Sequence, residues 1–184
     1  MQQATGAQPD KKPGQRLFFA LWPESPLQQR LHRLAVAALP AASAGKLVQQ
    51  DNLHLTLVFL GWADQSRRDC LLAAAQTIRS GSFDLRFDQV GYWRKPRVLW
   101  FGCSEQPAGL LDLVAALQGS AGACGFQSET RPYAAHLTVA RKVARDPGPL
   151  SIIPLDWPVR SFSLVESHTY PEGARYLPLH SWNL

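Results

Sequence analysis

The chain has 184 residues, 46% of them hydrophobic and 18% charged, which excludes a disordered or fibrous protein and leaves one compact domain or two small lobes with room for a core. Fourteen Arg and five Lys against 14 Asp and Glu give a formal net charge of +5, and the planar arginine fork leans that excess towards a phosphorylated or polyanionic ligand. Cys70, Cys103 and Cys124 show no CxxC spacing, which argues against a zinc knuckle or a disulfide framework and for a cytoplasmic home; no signal-peptide core and no run near the roughly 18 apolar residues of a membrane span is visible.

Residues 1–15 read as a flexible polar tail. A short apolar strand follows from Arg16 to Leu21 and is stopped by Trp22-Pro23. Leu27, Leu31, Leu34 and Ala38 recur at helical spacing and predict a helix over 24–39, with Pro26 in its first turn and Pro40 beyond its end. A small-residue loop over 41–45 and a brief edge segment at Leu47-Val48 lead into a β-branched and aromatic strand, 52–61, that ends at Gly61. A second helix is predicted over 64–79. Gly81 then opens strands over 83–93 and 98–102, joined by the basic turn Arg94-Lys95-Pro96-Arg97. Pro107 begins a third helix with Leu110, Leu111, Val114 and Leu117 as its stripe, and Gly119 to Gly125 reads as a flexible break. Strands follow around 136–140, 159–165 and 175–179, with a proline-rich loop from Pro147 to Pro158. The order is that of an α/β fold of the α+β type.

The chemistry concentrates in two of these strands, which carry the same tripeptide: His54-Leu55-Thr56 and His136-Leu137-Thr138. On a strand, residues i and i+2 share a face, so each copy sets an imidazole beside a hydroxyl. With five His and six Thr in the chain, two such coincidences should arise in about one comparable sequence in a hundred. Near neutrality histidine populates both protonation states, so two of them facing a phosphodiester can divide the work. One takes a proton from water and the other gives one to the departing oxygen, while the threonines donate to the non-bridging oxygens. Arg141 lies three residues after Thr138. Strict alternation turns it to the opposite face, and it reaches the cleft only where the strand ends or bulges. No third ligand accompanies either histidine at metal spacing, and no GxSxG, GxxxxGKS or GxGxxG occurs, so neither metal nor cofactor is called for.

With these flanks the chain resembles the 2H phosphoesterases, and among them the bacterial RNA 2',3'-cyclic phosphodiesterases, also described as 2'-5' RNA ligase-like. The resemblance runs from about Arg16 to Trp182. It is carried by Arg16-Leu17-Phe18-Phe19-Ala20, Asp51 to Leu57 with Phe59-Leu60-Gly61, Arg97-Val98-Leu99-Trp100, Phe126-Gln127, Arg131-Pro132-Tyr133, and His136-Leu137-Thr138 with Arg141. It implies one bilobal domain over 16–184: two pseudo-symmetric lobes, each an antiparallel-rich sheet with flanking helices, around a central cleft. It also implies that His54 protonates the leaving O3' of a ribose 2',3'-cyclic phosphate and that His136 activates water, giving a 2'-phosphomonoester. Thr56, Thr138 and Arg141 would hold the phosphate, and reversal would join RNA ends through a 2'-5' bond. The implied partner is RNA with 2',3'-cyclic phosphate termini, tRNA fragments being one candidate, with no membrane and no protein partner. One departure stands out: Ala135 precedes the second histidine, where relatives often carry proline.

Phe18, Trp100 and Tyr133 are candidates for stacking on a base, and Arg94 and Arg97 for tracking an RNA backbone. His32, His168 and His180 have no HxT partner and read as non-catalytic. A competing reading from another class is a non-catalytic RNA-end binding module, for which the +5 charge and the basic turn speak.

Overall fold

The computed structural model describes residues 14–40, 43–127, 129–171 and 173–184. The tail expected over 1–15 lies outside them except for Gly14 and Gln15, as do Ala41 and Ala42 of the expected small-residue loop.

Among the described residues, ten strands and three α-helices follow in the order β1 (Gln15–Leu21), α1 (Ser25–Ala38), β2 (Lys46–Leu47), β3 (Leu55–Ala63), α2 (Gln65–Ala75), β4 (Phe83–Phe87), β5 (Gln89–Trp93), β6 (Val98–Gly102), α3 (Ala108–Ala123), β7 (His136–Arg141), β8 (Leu155–Val159), β9 (Ser161–Tyr170) and β10 (Gly173–Asn183). Eight strands form an antiparallel sheet in the order β10-β9-β1-β3-β7-β6-β5, with β2 against β7, while β4 and β8 make a separate ribbon.

The sheet is two sheets in all but one place. β3 and β7 meet at a single residue pair, Leu55 and Leu137, beyond which the strands splay. The free edge of β7 is then taken by β2, where Lys46 pairs with Arg141 and Leu47 with Ala140. One lobe is therefore β10-β9-β1-β3 and the other β7-β6-β5 with β2, and the wedge between them is the cleft.

Beneath the sheet, Leu21, Leu55, Leu57, Leu137 and Val139 are fully or almost fully buried among the helices. The helices are exchanged between the lobes. α1, which follows β1, packs on β7, and α3, which follows β6, packs on β3 beside α2. Asp64 caps α2, its Oδ1 accepting from the Arg67 N–H at 2.9 Å. No helix among the described residues is long and apolar enough to cross a membrane.

Four expectations are corrected. The strand expected over 83–93 is two strands in different sheets. Asp88 breaks it by turning its carboxylate onto the N–H and hydroxyl of Ser104, so that β4 pairs with β8 and β5 with β6. The break expected at Gly119 to Gly125 is helical to Ala123, because Leu117 and Ala121 are buried and packing outweighs glycine's low propensity. The proline-rich loop ends in β8, whose Pro158 stands opposite Asp84 in a two-stranded ribbon with free edges, a position open to proline. Finally, Cys70 on α2 and Cys124 at the end of α3 form a disulfide with a 5.8 Å Cα separation. Fifty-four residues apart, they carry no spacing signal; only the packing of α2 on α3 brings them together.

Candidate active site

The single β3–β7 pair fixes the site. In an antiparallel register, Leu55 opposite Leu137 sets His54 across from Thr138 and Thr56 across from His136, with the two imidazoles on the diagonal. The two leucines point into the core, so all four polar side chains fall on the cleft face.

The copies match in detail. His54 Nδ1 lies 2.8 Å from the Asn52 carbonyl, and His136 Nδ1 lies 2.8 Å from the Ala134 carbonyl, two residues back in each case. A carbonyl only accepts, so each Nδ1 carries a hydrogen and each Nε2 presents a lone pair in the neutral ring. Asn52 is held in turn, its Nδ2 donating to the Ala174 carbonyl at 2.9 Å. Ala135 leaves an N–H that proline would lack, and the Gln106 side-chain carbonyl accepts it at 2.8 Å.

The bulges match as well. β1 pairs with Val58 and with Thr56 of β3, skipping Leu57; β6 pairs with Ala140 and with Thr138 of β7, skipping Val139. In both strands the extra residue immediately follows the threonine. Leu57 and Val58 then both pack on the core, as do Val139 and Ala140, and the third residue after each threonine returns to the cleft. That residue is Phe59 in one lobe and Arg141 in the other, and both line cavities beside His54. A second bulge at Leu60 is accommodated by Gly61, at φ +80°.

A cavity of about 340 Å³ is lined by His54, Thr56, Arg141, Phe18, Phe59 and Arg16, among others. A larger one of about 580 Å³ shares His54 and Arg141 and adds Thr138. His136 lines neither cavity, but its charge acts on His54, and its ring meets the edge of Trp93 at 4.6 Å.

The two rings sit in different surroundings. His54 is boxed by aromatics: Trp22 lies parallel to it at 5.1 Å, Tyr176 meets it edge-on at 4.8 Å, and Phe18 is tilted against it at 5.1 Å. Burial in this box lowers its pKa to about 4, against the opposing pull of the Asn52 carbonyl, and Arg141 and His136 lower it further. His136 is also lowered, by burial first and by Arg141, with the Ala134 carbonyl opposing. Among the described residues, no group of three His, Cys, Asp or Glu side chains is placed to hold a metal ion.

Of the remaining sequence candidates, Phe18 lines the smaller cavity and the other four line neither. Phe18 is 3% exposed and forms the wall behind His54. Tyr133 is half-buried and donates its hydroxyl to the Thr56 carbonyl at 3.0 Å, tying the approach to β7 onto β3. Trp100 lies flat across Gly91 and Gly102, where a Cβ would come within 2.2 and 2.6 Å of its ring, and packs on Trp93. Arg94 pairs with Asp146 at 3.5 Å, and Arg97, at φ +65°, shapes the turn; neither lines a cavity beside the histidines. Sequence reasoning missed Trp22, Tyr176, Arg16 and Phe59. Arg16 and Phe18 alternate along β1, which was a usable signal, whereas Tyr176 comes from β10 and no local pattern announces it.

Comparison with known proteins gives a consistent result. A family model described as the 2'-5' RNA ligase superfamily matches residues 23–171. The RNA 2',3'-cyclic phosphodiesterase of Escherichia coli is 35% identical over 175 residues, covering 92% of this chain and 97% of that protein. The protein of the same description from Thermus thermophilus is 30% identical over 181 residues, covering 92% and 90%. The crystal structure of E. coli LigT complexed with 3'-AMP superposes with a TM-score of 0.85 at 32% identity, covering 93% of this chain and 98% of that one.

Proposed function

The chain belongs to the 2'-5' RNA ligase superfamily and is an RNA 2',3'-cyclic phosphodiesterase, and from that premise we propose which of its residues perform the hydrolysis and how. The observation that carries the assignment is the diagonal of two imidazoles and two threonines about the Leu55–Leu137 pair.

His136 uses its Nε2 lone pair to take a proton from water as the water oxygen bonds to phosphorus. The P–O3' bond breaks on the opposite side, and O3' receives the proton held on His54 Nε2, leaving the phosphate on O2'. Thr56 and Thr138 donate to the non-bridging oxygens, and the Arg141 guanidinium holds the charge that gathers there. With a pKa of about 4, the empty site holds His54 protonated in about one molecule in a thousand at pH 7. An arriving phosphate anion reverses that balance by favouring the imidazolium, which the Asn52 carbonyl is already placed to support. Reversal of the same steps, with a 5'-hydroxyl in place of water, forms a 2'-5' bond.

The substrate we propose is an RNA 2',3'-cyclic phosphate end, with tRNA fragments as one source. Phe18, Tyr133 and Trp100 serve packing in this scheme, and Arg94 and Arg97 take no part in the step. Incubation with a short RNA bearing the cyclic end, in EDTA, should yield a 2'-phosphate. H54A and H136A should each lower kcat at least about 100-fold with the fold intact. A 3'-phosphate product, or near-normal turnover in either variant, refutes the assignment; tight binding with no product would favour a binding module instead.

A further inference from the structure

Each motif histidine is aimed by one peptide group, and the two lobes hold that group by different means. In the first, the peptide joining Asn52 to Leu53 offers its carbonyl to His54 Nδ1 at 2.8 Å. Its N–H, that of Leu53, donates to the Gln50 carbonyl at 3.1 Å as the short 3-10 turn over Gln50–Asn52 closes. The second lobe uses the peptide joining Ala134 to Ala135. Its carbonyl accepts from His136 Nδ1 at 2.8 Å, and its N–H donates to Gln106 Oε1 at 2.8 Å, on a side chain 29 positions away. The C=O and N–H of a trans peptide point in opposite directions, so a bond at each end fixes the plane.

β6 explains why a side chain is needed. Its ladder with β7 ends at the Gly102–His136 pair, and just beyond it Asp88 draws Ser104 away, so the ladder offers Ala135 no partner. Ala135 is buried, and a buried N–H left unpaired is costly. Gln106 supplies the acceptor. It immediately precedes Pro107, the N-cap of α3, and the buried Leu110 and Leu113 anchor the first turns of that helix to the core. An N–H donor also settles which end of the Gln106 amide faces it, the oxygen. Gln106 lines neither cavity, so its influence on the site passes through this peptide.

We propose that Gln106 is a positioning residue for the hydrolysis: by holding the Ala134–Ala135 peptide it fixes the aim and the tautomer of His136, the duty that a backbone turn performs for His54. A hydrogen bond to the N–H of a peptide polarises its carbonyl as well. That carbonyl is the contact that raises the pKa of His136 against burial and Arg141, so Gln106 supports the imidazolium formed when the ring takes a proton from water. The inference rests on the assignment of His136 as the base and adds a residue that lies outside both HxT motifs.

The test uses Q106L, which keeps most of the bulk and has no acceptor, and Q106E, which keeps an acceptor oxygen. Gln106 is half-buried in a connecting segment, so leucine there leaves the fold standing. Arg141 and His54, whose charges bear on His136 or answer to it, are untouched in both variants. kcat and KM are measured on a short RNA with a cyclic end, His136 is titrated by carbon-13 NMR, and unfolding is followed in urea. Q106L should lower kcat about tenfold with KM within about twofold, and the midpoint of His136 should fall below that of the wild type. Q106E should bring kcat back to within about threefold of the wild type. A merely structural glutamine would shift the urea curve of Q106L and leave its kcat and its His136 midpoint in place. That result overturns the proposal, and so does a Q106E no faster than Q106L. The underlying reading fails separately, if the wild type opens no cyclic end. In that event the titration still decides: a midpoint lowered in Q106L sustains the hold on His136, and an unmoved one rejects it.

Discussion

Trp22→Ala opens the one face of the aromatic box that lies parallel to the His54 ring. Trp22 packs in a small cluster with Phe18, Ala20, Val165 and Tyr176 that is separate from the main core, so the substitution leaves the fold standing. Burial is the first cause of the low His54 pKa, about 4 against an ordinary 6.5, and the whole depression corresponds to about 3 kcal/mol between the two protonation states. Three rings share that burial. Wetting one face should return roughly a third, about 1 kcal/mol, and raise the midpoint by somewhat under one pH unit, with Arg141 and His136 still holding it below normal. At pH 7 the protonated share of the empty site then rises from about one in a thousand to roughly one in two hundred. If His54 is the acid, this rare form is the reactive one, and kcat/KM at pH 7 rises by about fivefold. The assay is a titration of His54 by carbon-13 NMR beside kcat/KM at pH 7. An unmoved midpoint refutes the box as the cause. A raised midpoint with unmoved kcat/KM refutes the acid role, because a base must be neutral and is already so.

Three further outcomes are expected. Since the folded protein holds His54 neutral, the unfolded chain binds its proton first as pH falls; stability is whole above about 6.5 and declines towards pH 4 by at most about 3 kcal/mol, a slope that urea titrations should record and that H54Q should flatten. C70A/C124A, or reductant on the wild type, should lose up to about 4 kcal/mol in chemical denaturation, the loop-closure value for a separation of 54 residues, and equal stability with and without reductant would contradict the bridge. Y133F removes the 3.0 Å hydrogen bond to the Thr56 carbonyl and should cost about 1 kcal/mol in the same measurement, together with a drop in kcat as the two motif strands lose their tie.

The core of the site was legible because it is periodic. An imidazole and a hydroxyl two residues apart on a strand share a face whatever the rest of the chain does, and the repetition of that pair marked the cleft. Arg141 shows the limit of such reasoning. Its odd spacing from Thr138 is wrong for a cleft residue until Val139 drops out of register with β6, and that slip depends on a partner strand about forty positions away. The box around His54 was hidden for a related reason. Trp22 read as the stop of a strand, and Tyr176 arrives from β10, so neither carries a pattern relative to His54. Gly119 and Gly122 misled in the opposite direction, since their local preference was for a break and the buried face of α3 overrode it. The apolar alternation of Phe83, Leu85 and Phe87 slips by one at Asp88-Gln89 before resuming at Val90 and Tyr92, and it is there that Asp88 turns onto Ser104 and the strand divides.

The exchange of helices between lobes settles what keeps the cleft at a fixed width. A seam of one leucine pair would let two independent bodies drift apart, yet α1 is anchored under the far strand and α3 under the near one, in the manner of a dovetail. The Cys70–Cys124 bridge acts as the peg in that joint, because it fastens the borrowed α3 to the resident α2. Neither half could be excised as a working miniature, for each would leave its own roof behind on the other.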